Sequence, residues 1–517
     1  WNTLKEVKES FPVELAEYAV EAKIHDRPQF DWWVPRVLKK RQAIVKKVKS
    51  KYWEKTHKYG VRIPKSVEEA KRLDQENGNT LWWDSICKEM ANVRIAFEEQ
   101  ETAPVGYQKI GMHIVFDVKL GENYRRKARL VADGHRTDSP SSITYSSVVS
   151  RDSVRIGFLI AALNGLDILA CDIQNAYLTA PCREKIYTIA GPEFGSDCGK
   201  IMKITRALYG LKSSGASFRS FLSEHLHGLG YKPSLADPDV YLRPAVAEDG
   251  FKYYEYVMTY VDDVLCLSRD PRATIDGIKD KFTLKGDKAE APTGYLGADI
   301  DKMTTALGTE CWTQSADKYV AESIKNIDEM LSKKGCKLPT KGCATPLSGT
   351  YRPELDVTPE LALEGHRYYQ ELIGILRWAV EIGRLDILLE VSLMSAYLAS
   401  PREGHLDEVL HIFAYLKQHP KRKIAFDPDH PEIDERRFQK YDWVDFYRDA
   451  KEAIPTNMPE PRGNVVSMHC FVDANLAGDT VTRRSQTGIL IFVNRAPIVW
   501  HSKRQNTVEA STFGSEI

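Results

Sequence analysis

The feature that most constrains this chain is residues 256–267, where two adjacent aspartates interrupt apolar residues that favour strands. Aromatic and β-branched residues separated by a two-residue break predict a hairpin, here with Asp262 and Asp263 as its turn. Two like charges at the end of buried strands are unfavourable unless a cation or water compensates them. The pair is therefore either a solvated turn or part of a metal site, and a metal site needs a third carboxylate.

Asp172 is the candidate for that third carboxylate. It ends a short apolar run, residues 166–172, and the chain then turns into Asn175-Ala176-Tyr177-Leu178. A run of this kind, closed by a polar turn, is typical of a buried strand. Asp172 would then complete a metal site with Asp262 and Asp263.

These two segments resemble the metal-binding motifs of reverse transcriptases, in the form found in copia-type retrotransposon polyproteins. The matching patterns are Asp-x-x-x-Ala-Tyr-Leu at residues 172–178 and Tyr-Val-Asp-Asp at residues 260–263. The resemblance implies that Asp172, Asp262 and Asp263 are the catalytic residues and the ligands of two Mg²⁺ ions, for which Mn²⁺ is a substitute. Mg²⁺ suits such a site because it prefers hard oxygen ligands and is shared with substrate phosphates.

A basic strand carries two candidate substrate-binding residues. Residues 125–132 read Arg-Arg-Lys-Ala-Arg-Leu-Val-Ala, and period-two alternation puts Lys127 and Arg129 on one face. The resemblance implies that these side chains meet the incoming triphosphate, where cationic groups neutralise phosphoryl oxygens. An exposed basic strand without a ligand is the alternative.

Two further segments resemble parts of the family that contact the nucleotide. Residues 208–218 are similar to a motif beneath the nucleotide and template, which implies roles for the Gly210 backbone and for Lys212. Departures at residues 213, 215 and 217 remove the side chains that the family has there. Tyr177 lies five residues after Asp172, and the resemblance implies a ring beneath the incoming sugar that excludes a 2′-hydroxyl. Packing in the core is the alternative for Tyr177.

The N-terminal part of the chain differs in composition from the rest. Between residues 36 and 65 basic residues crowd together, Glu54 is the only acid, and aromatic residues interleave. This mixture suits phosphate contact and base stacking. A solvated basic segment whose aromatic side chains pack on the main body is an equally good interpretation. The formal net charge of the chain is zero, so any nucleic-acid surface must be made locally.

Length and composition set the outer bounds. With 517 residues the chain is long enough for about three or four domains. Nine cysteines without a Cys-x-x-Cys pair indicate reduced intracellular thiols rather than disulfides or zinc. No apolar run approaches the roughly 18 residues of a membrane span, so no membrane partner is expected. We expect no signal peptide, and because the sequence begins with Trp1 we expect it to be a piece of a longer protein.

The last region resembles the opening of the family's ribonuclease H domain. A strand containing Asp473, an Arg-Arg-Ser segment at residues 483–485, two strands ending near Ser502, and Glu516 at the start of a helix follow that layout. Such a domain holds metal ions with an acidic cluster, and Asp473 and Glu516 match two of its acids. We expect this domain to be incomplete, with doubtful ribonuclease H activity.

The resemblance implies an α+β fold in which a right-hand polymerase precedes a truncated ribonuclease H-like α/β domain. We divide the chain into a basic N-terminal extension (1–75), fingers and palm (76–305), thumb and connection (306–462) and the ribonuclease H-like part (463–517).

The implied function is RNA- and DNA-directed DNA synthesis by two-metal nucleotidyl transfer to a primer 3′-hydroxyl. The implied partners are RNA template, DNA primer, RNA–DNA hybrid, deoxynucleoside triphosphates and other parts of the polyprotein. The implied location is intracellular, in cytoplasmic virus-like particles or the nucleus. A catalytically silent, domesticated nucleic-acid-binding remnant and a metal-dependent nuclease are the alternatives.

Overall fold

The structure is a computed structural model that describes residues 57–58, 61–119, 124–138, 144–333, 335–340, 343–433, 444–450 and 456–516. Most of the predicted basic N-terminal segment, residues 36–56, 59 and 60, lies outside the described residues, so its proposed contact with nucleic acid stays a prediction. Within the described ranges, no helix is both long and apolar enough to cross a membrane.

Helices and strands alternate along the chain without a regular repeat. The helices are α1 Val67–Glu76, α2 Leu81–Val93, α3 Arg151–Asn164, α4 Ala176–Thr179, α5 Ser214–Gly228, α6 Pro271–Lys279, α7 Asp317–Lys333, α8 Leu363–Glu381, α9 Leu388–Ser395, α10 Glu403–Gln418, α11 Val444–Tyr447 and α12 Thr512–Glu516. The strands are β1 His57–Lys58, β2 Val61–Arg62, β3 Phe97–Gln100, β4 Gln108–Lys109, β5 Met112–Lys119, β6 Arg125–Ala132, β7 Asp167–Asp172, β8 Ile186–Ile189, β9 Ile201–Ile204, β10 Lys232–Pro233, β11 Val240–Val246, β12 Lys252–Tyr260, β13 Asp263–Ser268, β14 Gly294–Tyr295, β15 Ala298–Thr304, β16 Glu310–Ser315, β17 Lys423–Ala425, β18 Met468–Asn475, β19 Gln486–Val493 and β20 Ala496–Arg504.

These elements form two compact units. Among the described residues, the first unit comprises those from 57 to 138 and from 181 to 214, and the second comprises those from 144 to 180 and from 215 to 516. The chain therefore leaves the first unit, returns to it, and leaves again. The four consecutive domains expected from the sequence stay a prediction, because the units do not follow consecutive segments.

The first unit contains a long antiparallel ribbon and a small sheet. Strands β5 and β6 pair over their full length, and β3, β9, β8 and β4 form the sheet, in which β4 and β8 are parallel. Helices α1 and α2 are joined by a cap: the Asp74 carboxylate accepts hydrogen bonds from the backbone N–H groups of Trp82 and Trp83. The Trp82 side chain is buried and meets Phe116 edge to face, so it packs in the core of this unit.

The second unit is built on three antiparallel sheets. Their strand orders are β10-β11-β12-β13-β7, β14-β15-β16-β17 and β18-β19-β20. One continuous apolar cluster runs through this unit, from Phe158 on α3 through Leu265 on β13 and Trp312 on β16 to Trp500 on β20. Burial of this size is the main favourable contribution to the stability of the unit.

Arg155 joins three elements inside this core. Its guanidinium is almost fully buried and donates to the backbone carbonyls of Ile498 on β20 and Glu381 on α8 at 2.9 and 2.7 Å. It also donates to the Asp152 carboxylate and lies 3.8 Å from the centre of the Trp500 ring. Burial lowers the pKa of Arg155, but an arginine remains charged in proteins. The buried charge therefore holds β20 against α3 and α8.

Candidate active site

The register of three strands brings the candidate catalytic aspartates together. In the five-stranded sheet β13 lies between β12 and β7, and Asp263 stands directly opposite Asp172. Directly opposed residues have Cβ atoms about 4.5–5.5 Å apart and point to the same face. Asp262 precedes Asp263, and its carbonyl oxygen accepts a hydrogen bond from the Ile173 N–H at 2.8 Å. The three aspartates that the sequence assigns to one site therefore lie close together on neighbouring backbone positions.

The hairpin turn differs by one residue from the sequence prediction. Tyr260 pairs with Asp263, so the loop residues are Val261 and Asp262, whereas Asp263 begins β13. Val261 has a φ of 55°. A β-branched residue rarely adopts this conformation, and at the first position of a two-residue loop it replaces the usual glycine at a cost of about 1–3 kcal/mol. The surrounding strand pairing imposes this conformation immediately before the two aspartates.

The three carboxylates act on one another electrostatically. Partial burial, reinforced by the negative charges of Asp262 and Asp172, raises the pKa of Asp263 from 3.8 to about 6. The nearby ammonium of Lys285 opposes this shift. Lys285 Nζ lies 2.6 Å from Asp172 Oδ2 and is its ion-pair partner. The cluster therefore carries more negative charge than its surroundings compensate, and a cation would relieve it.

The chemistry of these donors fits a divalent cation, although their present arrangement is not a complete ligand set. Over the ranges that the structure describes, no three His, Cys, Asp or Glu side chains are grouped so that they could hold a metal ion. Three carboxylates on neighbouring backbone positions nevertheless supply the hard oxygen ligands that Mg²⁺ prefers.

Tyr177 lies in the first turn of α4, which follows β7 through Asn175 in a left-handed conformation with a φ of 52°. Its half-buried ring meets the ring of Phe218 on α5 edge to face, with the ring centres 6.2 Å apart. This contact holds the ring in place. It is compatible with both interpretations of Tyr177, and the role in sugar selection stays a prediction.

The predicted basic face of β6 is present in the first unit. Ala128 and Leu130 are buried, whereas Arg129 is exposed and Lys127 is half-buried on the other face. Burial lowers the pKa of Lys127, and the charges of Arg129, Lys119 and Arg125 lower it further. This ribbon gathers positive charge in one place, which is the property that phosphate binding needs. Its role in triphosphate binding stays a prediction.

The segment containing Gly210 and Lys212 packs tightly against the end of β6. Gly210 has a φ of 92°, and a Cβ there would overlap the Ala132 carbonyl oxygen and lie 2.7 Å from Val131 Cγ1. Arg129 lies over the Tyr209 ring, 4.9 Å from its centre. The residue at position 210 must therefore be glycine for two independent reasons, its backbone conformation and this close approach.

Lys212 is engaged inside the first unit. Its Nζ donates to the Thr137 carbonyl oxygen at 2.6 Å. Glu184 beside it accepts from the backbone N–H and the hydroxyl of Ser213 at 3.1 and 2.7 Å. A nucleotide contact by Lys212 stays a prediction, and the observed hydrogen bond gives this lysine a role in holding the segment.

The predicted ribonuclease H acids lie on the last sheet of the second unit and on the helix after it. Asp473 is exposed on β18, opposite Gly488 of β19. Glu516 is exposed at the end of α12, which packs against β18. The strands that the sequence predicts are present, but Glu516 is the last residue of α12 and not at its start, because the Ser511 hydroxyl caps the helix by accepting from the Gly514 N–H. Their assignment to a ribonuclease H-like domain stays a prediction.

Sequence reasoning missed Lys285 and Glu184. Lys285 reaches Asp172 across a sequence separation of 113 residues, and Glu184 accepts from Ser213 across 29. The only signal for Lys285 was its place in a Lys-Gly-Asp turn shortly after an amphipathic helix. Glu184 carried no signal, because a lone acid between loops is usually solvated.

Comparison with known proteins identifies the family. Residues 100–342 match the family described as reverse transcriptase (RNA-dependent DNA polymerase). The chain is 26% identical over 417 residues to the retrovirus-related Pol polyprotein from transposon RE1 of Arabidopsis thaliana, covering 79% of this chain and 25% of that protein. It is 26% identical over 427 residues to the corresponding polyprotein from transposon TNT 1-94 of Nicotiana tabacum, covering 80% of this chain and 28% of that protein.

A shorter part of the chain is also similar to a yeast protein. The chain is 24% identical over 322 residues to the transposon Ty1-DR1 Gag-Pol polyprotein of Saccharomyces cerevisiae, covering 59% of this chain and 17% of that protein. The chain thus spans only about a quarter of the length of the plant relatives, which are themselves polyproteins. Residues 100–342 belong to the reverse transcriptases of copia-type retrotransposon Pol polyproteins.

Proposed function

We propose that this chain is an RNA- and DNA-directed DNA polymerase whose catalytic residues are Asp172, Asp262 and Asp263. The observation that carries the proposal is the position of Asp172 directly opposite Asp263, inside the segment that matches the reverse transcriptase family. The raised pKa of Asp263 supports it, because clustered carboxylates that perturb one another are typical of functional sites.

The three carboxylates would hold two Mg²⁺ ions, with Mn²⁺ as a substitute. When bound, such ions lower the pKa of a primer 3′-hydroxyl and neutralise the charge that develops on the triphosphate. The task of this chain is to fix the carboxylates on paired strands, so that little conformational freedom remains to be lost in the reaction. The loop conformation imposed on Val261 serves this positioning.

The basic face of β6 is the proposed triphosphate contact. Lys127 and Arg129 would neutralise phosphoryl oxygens, and Arg129 can do so with two parallel hydrogen bonds. Burial, and then the repulsion of neighbouring cations, lowers the pKa of Lys127, and a bound anion would relieve that repulsion. Gly210 and Lys212 would hold the adjoining segment so that its backbone faces the nucleotide.

Tyr177 is the proposed sugar-selecting residue. Its ring is held against Phe218, and a rigid ring beneath the sugar leaves no room for a 2′-hydroxyl. A clash of this kind discriminates between substrates that share every attractive contact.

The proposed layout is that of a right-hand polymerase with fingers, palm, thumb and connection, followed by the opening of a ribonuclease H-like domain bearing Asp473 and Glu516. The proposed partners are an RNA template, a DNA primer, their hybrid, deoxynucleoside triphosphates and other parts of a Pol polyprotein. By analogy with such polyproteins, we propose an intracellular location in cytoplasmic particles or the nucleus.

Extension of a DNA primer on an RNA template tests the proposal. The wild-type chain should extend the primer with Mg²⁺, and Asp262→Asn should abolish extension while binding the template–primer nearly as well, because binding depends on phosphate contacts spread over a large surface. Asp249→Asn, an exposed aspartate on the same unit, is the matched control and should extend normally. An Asp262→Asn protein that extends at the wild-type rate would refute the assignment, and a wild-type chain that binds without extending would indicate a silent remnant.

A further inference from the structure

The backbone of Lys285 is held in place beside Asp172, Asp262 and Asp263, the carboxylate cluster. The backbone before it is attached to the chain that follows β7: Gln174 N–H donates to the Thr283 carbonyl at 2.9 Å, and Leu284 forms a bridge with Ile173. Leu284 is buried. Lys285 then begins a short 3₁₀ turn that ends at Asp287. The ammonium is therefore delivered to Asp172 by fixed backbone, although the side chain itself is long and flexible.

The ion pair is close but solvated. Nζ of Lys285 lies 2.6 Å from Asp172 Oδ2, whereas 64% of the Lys285 side chain and 32% of the Asp172 side chain remain exposed. An ion pair with this much solvent contact shifts an equilibrium by no more than about fivefold. The ion pair therefore neutralises part of the negative charge of Asp172, and breaking it costs little free energy.

We propose that Lys285 is a displaceable counter-ion of the carboxylate cluster, holding Asp172 while no divalent cation is bound and leaving it when one binds. The inference rests on the proposed function, because it assumes that Asp172, Asp262 and Asp263 bind divalent cations. Two cations on one carboxylate repel each other, so an ammonium at Oδ2 opposes a metal ion at the same side chain. The present lack of a complete ligand set among the described residues agrees with an Asp172 that is turned towards Lys285.

The counter-ion has a purpose in the cation-free protein. Without it, three neighbouring carboxylates would face one another with less compensation, and the Asp263 carboxyl group would be still harder to ionise. With it, the strands can pair in the cation-free state. Metal ions then exchange against an ammonium that stays nearby and can return when they leave.

The test is a titration of the full-length chain with Mn²⁺ alone, followed by calorimetry and by the electron paramagnetic resonance signal of free Mn²⁺. Lys285→Met removes the charge at similar length, and we expect it to bind Mn²⁺ about two- to fivefold more tightly than the wild type. Lys285→Arg keeps a cation and should not exceed wild-type affinity. Lys288→Met is the matched control, because Lys288 is exposed and pairs with Glu290, so its affinity should equal that of the wild type.

A thermal melt in chelator supplies a second readout. Without metal, Lys285→Met should melt at a lower temperature than the wild type. On addition of Mn²⁺, its melting temperature should rise by more than that of the wild type. A variant that was simply misfolded would not show this larger rise. Equal or weaker Mn²⁺ binding by Lys285→Met would overturn the proposal and indicate that the lysine assists the metal. The proposed function fails separately, if the wild-type Mn²⁺ affinity is unchanged in Asp172→Asn and Asp262→Asn.

Discussion

The raised pKa of Asp263 predicts that this side chain lowers the stability of the cation-free protein at neutral pH. Its pKa in the folded protein is about 6, compared with an ordinary value of 3.8. Between these values the folded protein binds the proton more tightly than the unfolded chain does. The free energy of unfolding therefore falls as pH rises through this window, and the loss is complete above about pH 6.

Asp263→Asn removes the charge and should remove this loss. A shift of about two units corresponds to roughly 3 kcal/mol at 1.36 kcal/mol per unit. Because the side chain is only half-buried, solvent screens the repulsion, and we expect about 1–2 kcal/mol. In chelator the variant should be more stable than the wild type by this amount at pH 8, and the difference should disappear near pH 4.

Urea unfolding between pH 4 and 8 measures the effect, with Asp249→Asn as a control of opposite sign. The Phe251 backbone N–H, together with Arg269, holds the pKa of Asp249 below its usual value, so this carboxylate adds stability above pH 4 that is lost on acidification. Asp249→Asn should therefore be less stable than the wild type at pH 8. A difference between Asp263→Asn and wild type that does not change from pH 4 to 8 would refute the electrostatic reasoning.

Two further substitutions probe Gly210 and Tyr177, which belong to the proposed nucleotide site. Gly210→Ala should destabilise the chain by at least about 2 kcal/mol more than Gly250→Ala, since both positions have positive φ but a Cβ at Gly250 meets open space; equal losses of unfolding free energy in urea would contradict the close approach at Ala132. Tyr177→Ala should keep deoxynucleotide extension and raise ribonucleotide incorporation by orders of magnitude, at about 1.4 kcal/mol for each tenfold, whereas Tyr177→Phe should keep the sugar preference. A folded, active Tyr177→Ala protein with unchanged preference would remove Tyr177 from sugar selection.

Local patterns in the sequence were sufficient where strand alternation decides the structure. The alternation in residues 125–132 correctly predicted which face of β6 carries Lys127 and Arg129. The two aspartate motifs correctly predicted that Asp172 lies beside the hairpin, because a resemblance carries information about tertiary pairing that periodicity lacks. The turn itself was misplaced by one residue, because valine is a poor choice for a positive φ and only the pairing of β12 with β13 imposes it.

Non-local contacts account for what could not be predicted. The ammonium of Lys285 pairs with a residue that is distant in the sequence. This contact forms only because the fold brings residues 173 and 284 together. The return of residues 181–214 to the first unit is of the same kind. Sequence order alone does not reveal this return, because residues distant in the chain are neighbours in space there.

The buried Arg155 has a mechanical consequence for the last sheet. Helix α3, which carries Arg155, leads through Gly165 and Leu166 directly into β7, the strand that ends at Asp172. Rotation of β20 away from α3 would leave the buried Arg155 guanidinium without the Ile498 carbonyl and the Trp500 ring, at a cost of about 3–5 kcal/mol. The contact between α3 and β20 is therefore rigid. Thermal motion of the C-terminal sheet and of the strand bearing Asp172 should be correlated. A force applied to the sheet should be transmitted to this strand before the contacts of Arg155 break.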